Sequence, residues 1–251
     1  MPASLLLRSD DGPVARLTLN DPDRANVLSR AMMADLADAL GKIARDDTVR
    51  VVVLEAAGKV FCAGHDLGEL RAEDDAAVHE ALFAQCSTLM RAIVESPKPV
   101  IAKVRGAAVA AGCQLVASCD LAYAAETARF AVSGINLGLF CSTPAVALSR
   151  SVGRKAALEM LLTGRFVGAP DATAIGLINR AVPADALDAL VDETAQAIAT
   201  KATDAIALGK AVFNRQIGLP LADSYAVASQ AMAENLGFES AKSGIDGFLK
   251  R

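Results

Sequence analysis

Two glycine-containing stretches decide the fold of this chain: Phe61-Cys62-Ala63-Gly64-His65-Asp66-Leu67 and Ala110-Ala111-Gly112-Cys113-Gln114-Leu115. Each follows a strand-like run, and the second opens a helix. Small residues let backbone amides approach a ligand closely, and a helix N-terminus adds a positive dipole. Two amides aimed at one point form an oxyanion hole, which stabilises a developing enolate. On composition alone, tight turns and close helix packing are the competing interpretation.

The segments around these stretches alternate between strand and helix patterns. The predicted elements are a strand at Val14–Leu19, a helix from the N-cap Ser29 to Ala44, strands at Val51–Leu54, Val100–Val104 and Leu121–Ala124, and a helix over about 75–95. The first helix has its inward stripe at Met32, Met33, Leu36, Leu40 and Ile43. This order predicts an α/β fold with right-handed crossovers.

The last third of the chain is helical in pattern from about Arg154 onward. No low-complexity linker separates it from the rest, so both parts are expected to form one body. We divide the chain into a core over 1–195 and a C-terminal helical region for oligomerisation over 196–251.

Composition excludes several classes of protein. The net charge of −4, without a run of Lys or Arg, gives no electrostatic footprint for nucleic acid. No stretch approaches the roughly 18 apolar residues of a membrane span, and Met1–Arg8 is a poor signal peptide. We therefore expect a cytoplasmic protein that binds neither nucleic acid nor membrane.

The cysteines are odd in number and form no C-x-x-C pair; they are Cys62, Cys86, Cys113, Cys119 and Cys141. With only His65 and His79 beside them, no metal site is expected, and the thiols are expected to be reduced and mostly buried.

The two opening stretches resemble the crotonase (enoyl-CoA hydratase/isomerase) family in order and spacing. The resemblance also includes Asp23–Leu28 before them, Pro97–Ala102 between them and Gly247–Arg251 at the end of the chain. The resemblance covers the chain from about Leu5 onward. It implies a spiral of ββα turns followed by a helical trimerisation region. It also implies an acyl-CoA thioester as ligand, no prosthetic group, coenzyme A as part of the substrate, and a homotrimer or a dimer of trimers.

The resemblance also implies site residues. The backbone amides of Ala63 and Ala111 would hold the thioester carbonyl, and Ala111 stands where many relatives have Gly. The expected coenzyme contacts are Arg24, Ala25, Ala63, His65, Asp66 and Leu67, together with Phe248 and Arg251 at the site of a neighbouring subunit.

The chain departs from the family at the acid/base pair. Alignment on the shared motifs puts Gln114 and Gly134 where hydratases of the family carry two glutamates, and Ser142 where some relatives carry an acid. Losing a general acid or base typically costs about 10²–10⁴-fold, so hydration is expected to be weak, and restoring both glutamates is expected to raise it.

Two functions therefore remain open. One is a hydratase/isomerase-type enzyme with weak or altered activity, and the other is a non-catalytic acyl-CoA-binding or regulatory protein. His65, Asp66 and Cys141 are alternative carriers of chemistry, while Asp120 resembles a structural aspartate of the family. An α/β hydrolase is disfavoured, because the sequence has no G-x-S-x-G elbow.

Overall fold

Strands and helices alternate through the first two thirds of the computed structural model, which describes residues 4–72 and 74–250. The strands are β1 (Leu6–Asp11), β2 (Val14–Leu19), β3 (Val51–Ala56), β4 (Val60–Cys62), β5 (Val100–Val104), β6 (Ala107–Val109), β7 (Leu121–Ala125), β8 (Arg129–Ala131), β9 (Val167–Gly168) and β10 (Arg180–Val182). The helices are α1 (Arg30–Ala44), α2 (Leu67–Ala72), α3 (Ala76–Val94), α4 (Ala111–Ser118), α5 (Ser142–Ser151), α6 (Arg154–Thr163), α7 (Ala169–Ala174), α8 (Leu187–Ala199), α9 (Thr203–Gln216), α10 (Leu221–Leu236) and α11 (Glu239–Leu249). Single 3₁₀ turns lie at Pro22–Arg24 and Ser133–Leu137.

The strands form two sheets. The larger has the order β1-β2-β3-β5-β7-β10, parallel from β2 onward, and the smaller has the order β4-β6-β8-β9. In each of three successive ββα turns, the first strand belongs to the large sheet and the second to the small one. These turns are β3-β4-α2/α3, β5-β6-α4 and β7-β8-α5. This repeat confirms the α/β fold predicted as a spiral of ββα turns.

The apolar run at Val51–Leu54 is covered on both faces of the large sheet, as predicted. Val52 and Leu54 belong to the main core, whereas Val51 and Val53 belong to a second cluster that α8 completes. Helix α1 begins after Ser29, whose hydroxyl accepts a hydrogen bond from the Met32 amide at 3.1 Å. The predicted stripe of α1 is the set of residues that it buries.

The C-terminal helices differ from the rest of the molecule in their burial. Helices α9, α10 and α11 contribute no fully buried residue among those described. The predicted boundary at 195/196 falls inside α8, whose Ala195 and Ala199 pack against the large sheet. The helical region that lies outside the core therefore starts with α9.

Lys210 and Asn214 attach α9 to the core. The Lys210 ammonium donates to the Ile93 carbonyl at 2.9 Å, to the Lys98 carbonyl at 3.2 Å and to the Asp120 carboxylate at 2.7 Å. Asn214 donates to the Val94 carbonyl at 3.1 Å. The Ile93 and Val94 carbonyls lie at the C-terminal end of α3, where a cation is also favoured by the helix dipole.

Candidate functional site

A cavity of about 260 Å³ lies where the two glycine-containing stretches meet. Its walls come from residues of the segments 63–70, 109–111 and 133–144, and from Phe83 of α3. The open end is marked by Leu67 and Leu137, whose exposed fractions are 55% and 69%. Among the described residues that line it, none is a carboxylate.

Two glycines let the stretches approach each other. A Cβ on Gly112 would lie 2.2 Å from the Cys62 carbonyl oxygen, so α4 can touch β4 only with glycine there. Gly64 has φ +98°, and a Cβ on it would lie 3.0 Å from the Ala110 Cβ and 3.4 Å from the Ala111 nitrogen. The backbone of the first stretch therefore contacts the start of α4 directly.

The backbone amides at this contact are not equivalent. Ala111 is the first residue of α4, and its amide has no hydrogen-bond acceptor among the described residues, as expected for a helix N-terminus. The amide of Ala63 donates to the Ala25 carbonyl at 3.0 Å, so it is not free for a ligand in this arrangement. Gly64 donates to the Cys62 sulfur at 3.4 Å. The next amide, that of His65, has no acceptor within the described chain.

Ala110, at the N-cap of α4, has φ 49° and ψ −115°, a conformation that favours glycine. Such strain is found preferentially at functional sites, and here it precedes the free amide of Ala111.

The His65 imidazole lies in the wall of the cavity with its ring edge-on to Phe83, at 5.5 Å between ring centroids. Both ring nitrogens are buried, and neither has a hydrogen-bond partner among the described residues. Burial lowers the pKa of His65 below its usual range, against smaller opposing effects of the Leu28 backbone and Glu69.

The resemblance assigns the two glutamate positions to Gln114 and Gly134, and only Gly134 lines the cavity. Gln114 is buried, does not line the 260 Å³ cavity, and has its Oε1 3.9 Å from the Cys86 sulfur. Gly134 lines the cavity and donates to the Cys141 sulfur at 3.3 Å. A Cβ at Gly134 would lie 2.5 Å from the Leu139 carbonyl oxygen and 2.8 Å from the Cys141 sulfur. The space of a side chain at Gly134 is thus already filled.

The predicted coenzyme contacts surround the first stretch. Arg24 forms ion pairs with Asp66 and, at 3.6 Å, with Asp21, so its charge is shared within the protein. Burial raises the pKa of the Asp66 carboxyl, but hydrogen bonds from Arg24 and the Gly68 amide outweigh this and hold it below its usual range. Ala25 is in the left-handed region at φ 55°.

Of the remaining predicted residues, Leu67, Cys141 and Ser142 line the cavity, and the others lie elsewhere or have other partners. Leu67 begins α2, Phe248 is 74% exposed on α11, and Arg251 lies outside the described residues. Asp120 accepts from Lys210 and from the Val100 amide at 2.7 Å, so its place is structural. Burial raises the pKa of the Cys141 thiol.

Sequence reasoning missed Asn26, a buried polar residue that shapes the first stretch. Its side-chain amide donates to the Ala57 and Val60 carbonyls, each at 2.8 Å, and its Oδ1 accepts from the Asp21 amide. An Asn just after a Pro-containing turn was the available signal, because Asn tolerates positive φ and bonds to nearby backbone.

Within the described chain, no three His, Cys, Asp or Glu side chains are grouped as metal ligands would be. No described helix has the length and apolar character needed to cross a bilayer.

Comparisons with a family model and with known proteins all indicate the same family. The family model described as enoyl-CoA hydratase/isomerase matches residues 10–251. The mitochondrial enoyl-CoA hydratase domain-containing protein 3 of Rattus norvegicus is 43% identical over 97% of this chain and 81% of its own length. A putative enoyl-CoA hydratase of Thermus thermophilus is 35% identical over 98% of each chain.

Solved structures agree with these relatives. A crystal structure of enoyl-CoA hydratase from Mycobacterium smegmatis superposes with a TM-score of 0.97 at 55% identity, over 99% of this chain and 97% of that one. The human enoyl-CoA hydratase domain-containing protein 3 superposes with a TM-score of 0.95 at 41% identity, over 98% of each chain. The runs Gly64–Leu67, Ala110–Asp120 and Gly138–Pro144 indicate the same kinship with domain-containing protein 3.

These names correct one expectation. The relatives named domain-containing protein 3 from Rattus norvegicus, Mus musculus, Xenopus laevis, Homo sapiens and Danio rerio are mitochondrial, and this overturns the cytoplasmic prediction. Charge and composition do not distinguish the cytoplasm from another aqueous compartment, which is why the prediction from them was wrong.

Proposed function

Because this chain belongs to the enoyl-CoA hydratase/isomerase family, we propose that it binds acyl-CoA thioesters in the cavity between its two glycine-containing stretches. Every segment that lines the cavity falls inside the matched residues 10–251. The apolar wall formed by Leu70, Phe83 and Leu139 suits an acyl chain. Coenzyme A enters as part of the substrate, and this binding needs no prosthetic group or metal.

The thioester carbonyl is held by the backbone amides of Ala111 and His65. The observation that carries this proposal is that both amides lack an acceptor in the described chain and border one cavity. The amide of Ala63, which the sequence predicted for this role, already has the Ala25 carbonyl as its acceptor. Donors fixed by the backbone stabilise charge on the oxygen without reorganising.

The reaction class is that of a hydratase/isomerase-type enzyme with weak or altered hydration. A non-catalytic acyl-CoA-binding protein is the second candidate, and it is favoured by the absence of any carboxylate from the described lining of the cavity. In either case substrate polarisation is retained, because it depends on backbone alone.

We further propose a homotrimer or a dimer of trimers assembled through α9, α10 and α11. These helices contain no fully buried residue, and their large apolar side chains are exposed, as at Phe213 (59%), Tyr225 (68%) and Met232 (63%). Helices with unburied apolar faces gain stability when a partner covers them.

Calorimetry and carbon NMR with butyryl-CoA test the binding and the polarisation separately. We expect binding that a chelator leaves unchanged, and a downfield shift of the ¹³C-labelled thioester carbonyl on binding. Leu139→Asp should weaken binding about tenfold or more, because a charge then replaces an apolar wall. The matched control, Leu7→Asp, changes a 45% exposed leucine on the edge strand and should leave affinity unchanged. Absence of binding at millimolar butyryl-CoA would refute the proposal, and binding without a carbonyl shift would refute the role of the amides.

A further inference from the structure

The cavity contains two titratable side chains among its described lining residues, His65 and Cys141. Of the titratable side chains in the described lining, these two are the candidates for proton transfer to or from a bound acyl group. The inference below rests on the proposed function, because it requires an acyl thioester whose carbonyl is held beside α4.

Cys141 is a poor base in this setting. Its sulfur accepts a hydrogen bond from the Gly134 amide at 3.3 Å, and the residue is only 8% exposed. Burial raises the pKa of the thiol, so the sulfur is protonated at neutral pH.

His65 has the opposite properties. Its ring is fixed edge-on against Phe83, and both ring nitrogens are buried without a partner in the described chain. Buried polar groups are normally hydrogen-bonded, so the two ring nitrogens leave room for a partner that a water molecule or a bound ligand supplies. Burial lowers the pKa of the imidazole, which is therefore neutral at pH 7, with one nitrogen free to accept a proton.

The charged groups near His65 do not take its place as proton acceptor. Glu69 of α2 acts on the ring only by raising its pKa, and Asp66 and Arg24 form an ion pair with each other. On the facing side, α3 contributes Phe83 and α4 contributes the amide of Ala111.

We propose that the His65 imidazole is the proton carrier of this site and removes the α-proton of the bound acyl thioester. The α C–H bond breaks, its electron pair forms the enolate whose oxygen the amides of Ala111 and His65 hold, and the proton passes to a ring nitrogen. The imidazolium then returns a proton to the α-carbon, or to the γ-carbon of an unsaturated chain, which moves the double bond. The chemistry is therefore enolisation and double-bond shift, and it needs no water as reactant.

Exchange of the α-protons of butyryl-CoA in D₂O tests this directly, because a saturated chain has no double bond to hydrate. We expect the wild-type protein to add deuterium at the α-carbon, seen by mass spectrometry, and His65→Gln to slow this exchange about 10²–10⁴-fold. Glutamine keeps the backbone amide and can still donate and accept hydrogen bonds, so the ¹³C carbonyl shift should persist in the variant. The same substitution at the other histidine, His79→Gln on α3, should leave exchange unchanged.

The pH profile gives a second readout. The neutral imidazole is the active form, so exchange should rise with pH through the pKa of His65 and level off, with the midpoint below the ordinary value of 6.5. His65→Gln should remove this step.

Four outcomes would overturn the inference. In the first, the wild-type protein binds butyryl-CoA but does not exchange its α-protons; in the second, His65→Gln exchanges at the full rate. In the third, Cys141→Ser abolishes exchange while His65→Gln retains it. In the fourth, the pH profile of the wild-type protein has no step. Failure of butyryl-CoA to bind would instead remove the proposed function, and this inference with it.

Discussion

At Gly134 the backbone excludes a side chain, and this argues against repairing the site by adding a glutamate there. A Cβ would collide with the Leu139 carbonyl oxygen and the Cys141 sulfur. We expect Gly134→Ala to lower the free energy of unfolding by about 1–3 kcal/mol, as overpacking does, in urea denaturation. Gln114→Glu combined with Gly134→Glu should then fail to raise hydration of crotonyl-CoA, contrary to the expectation from sequence.

Gly41→Ala is the matched control. Gly41 lies in α1 with nothing within 4 Å of its Cβ position, so alanine there should raise the free energy of unfolding by about 0.5–1 kcal/mol. Equal effects at the two glycines, or rapid hydration by the double variant, would contradict this account of Gly134.

The sequence predicts where the two loops proposed to bind the carbonyl lie, but not which of their amides are free. Glycines and small residues show where backbones approach, whereas the choice of Ala111 as a donor came from the family resemblance. Which N–H of residues 63–65 is free depends on φ and on a distant acceptor, the Ala25 carbonyl. Neither the φ angle nor the distant acceptor can be read from the residue types, so the sequence predicted a coenzyme contact for His65 rather than a hydrogen bond from its amide.

Among the elements, α9 is attached to the core by Lys210 and Asn214, and the lysine makes the larger number of hydrogen bonds. The Lys210 side chain is 9% exposed and joins the Ile93 carbonyl of α3 and the Lys98 carbonyl before β5 to the Asp120 carboxylate. Lys210→Met should lower the free energy of unfolding by about 1–3 kcal/mol, because it leaves the Asp120 carboxylate, whose side chain is 25% exposed, without its cation. Urea denaturation, with amide exchange of α9 as a local readout, measures this.

Asp120→Leu in the Lys210→Met background is the control for this lysine. The second change removes the unpaired carboxylate, so the double variant should regain part of the lost stability. A double variant whose loss is the sum of two independent losses would show that the ion pair is not the source of the effect.

Elements with strong periodicity were predictable, and short or unpaired ones were not. Helix α1 carries both its N-cap and its buried stripe in sequence. Strand β1, most of whose residues are exposed, has no alternation to detect, and the six residues of α2 are too few for a helical period. The predicted boundary at 195/196 cuts α8, because packing against the sheet rather than composition keeps residues 196–199 with the core.

For the molecule as a whole, the exposed apolar faces of α9–α11 predict self-association. One chain has a mass of 25.9 kDa, so sedimentation at micromolar concentration should give a species about three or six times heavier. Met232→Asp should shift this species toward monomer, because a charge would be buried in the contact. Gln230→Asp adds the same charge at an exposed polar position of α10 and should not. A wild-type protein that sediments only as monomer would contradict the assembly.

Successive strands from β3 to β8 belong alternately to the large and the small sheet, and this affects how the chain folds. The cavity takes its walls from three consecutive turns and closes only when Pro144 of α5 has joined residues 63–70. Contacts so distant in sequence raise the contact order, and their loop-closure entropy is lost before any of them stabilises the chain. On a ribosome, the first two turns would emerge with an unfinished pocket and an open edge on each sheet. The interval before residue 144 appears is therefore when the nascent chain most needs protection from aggregation.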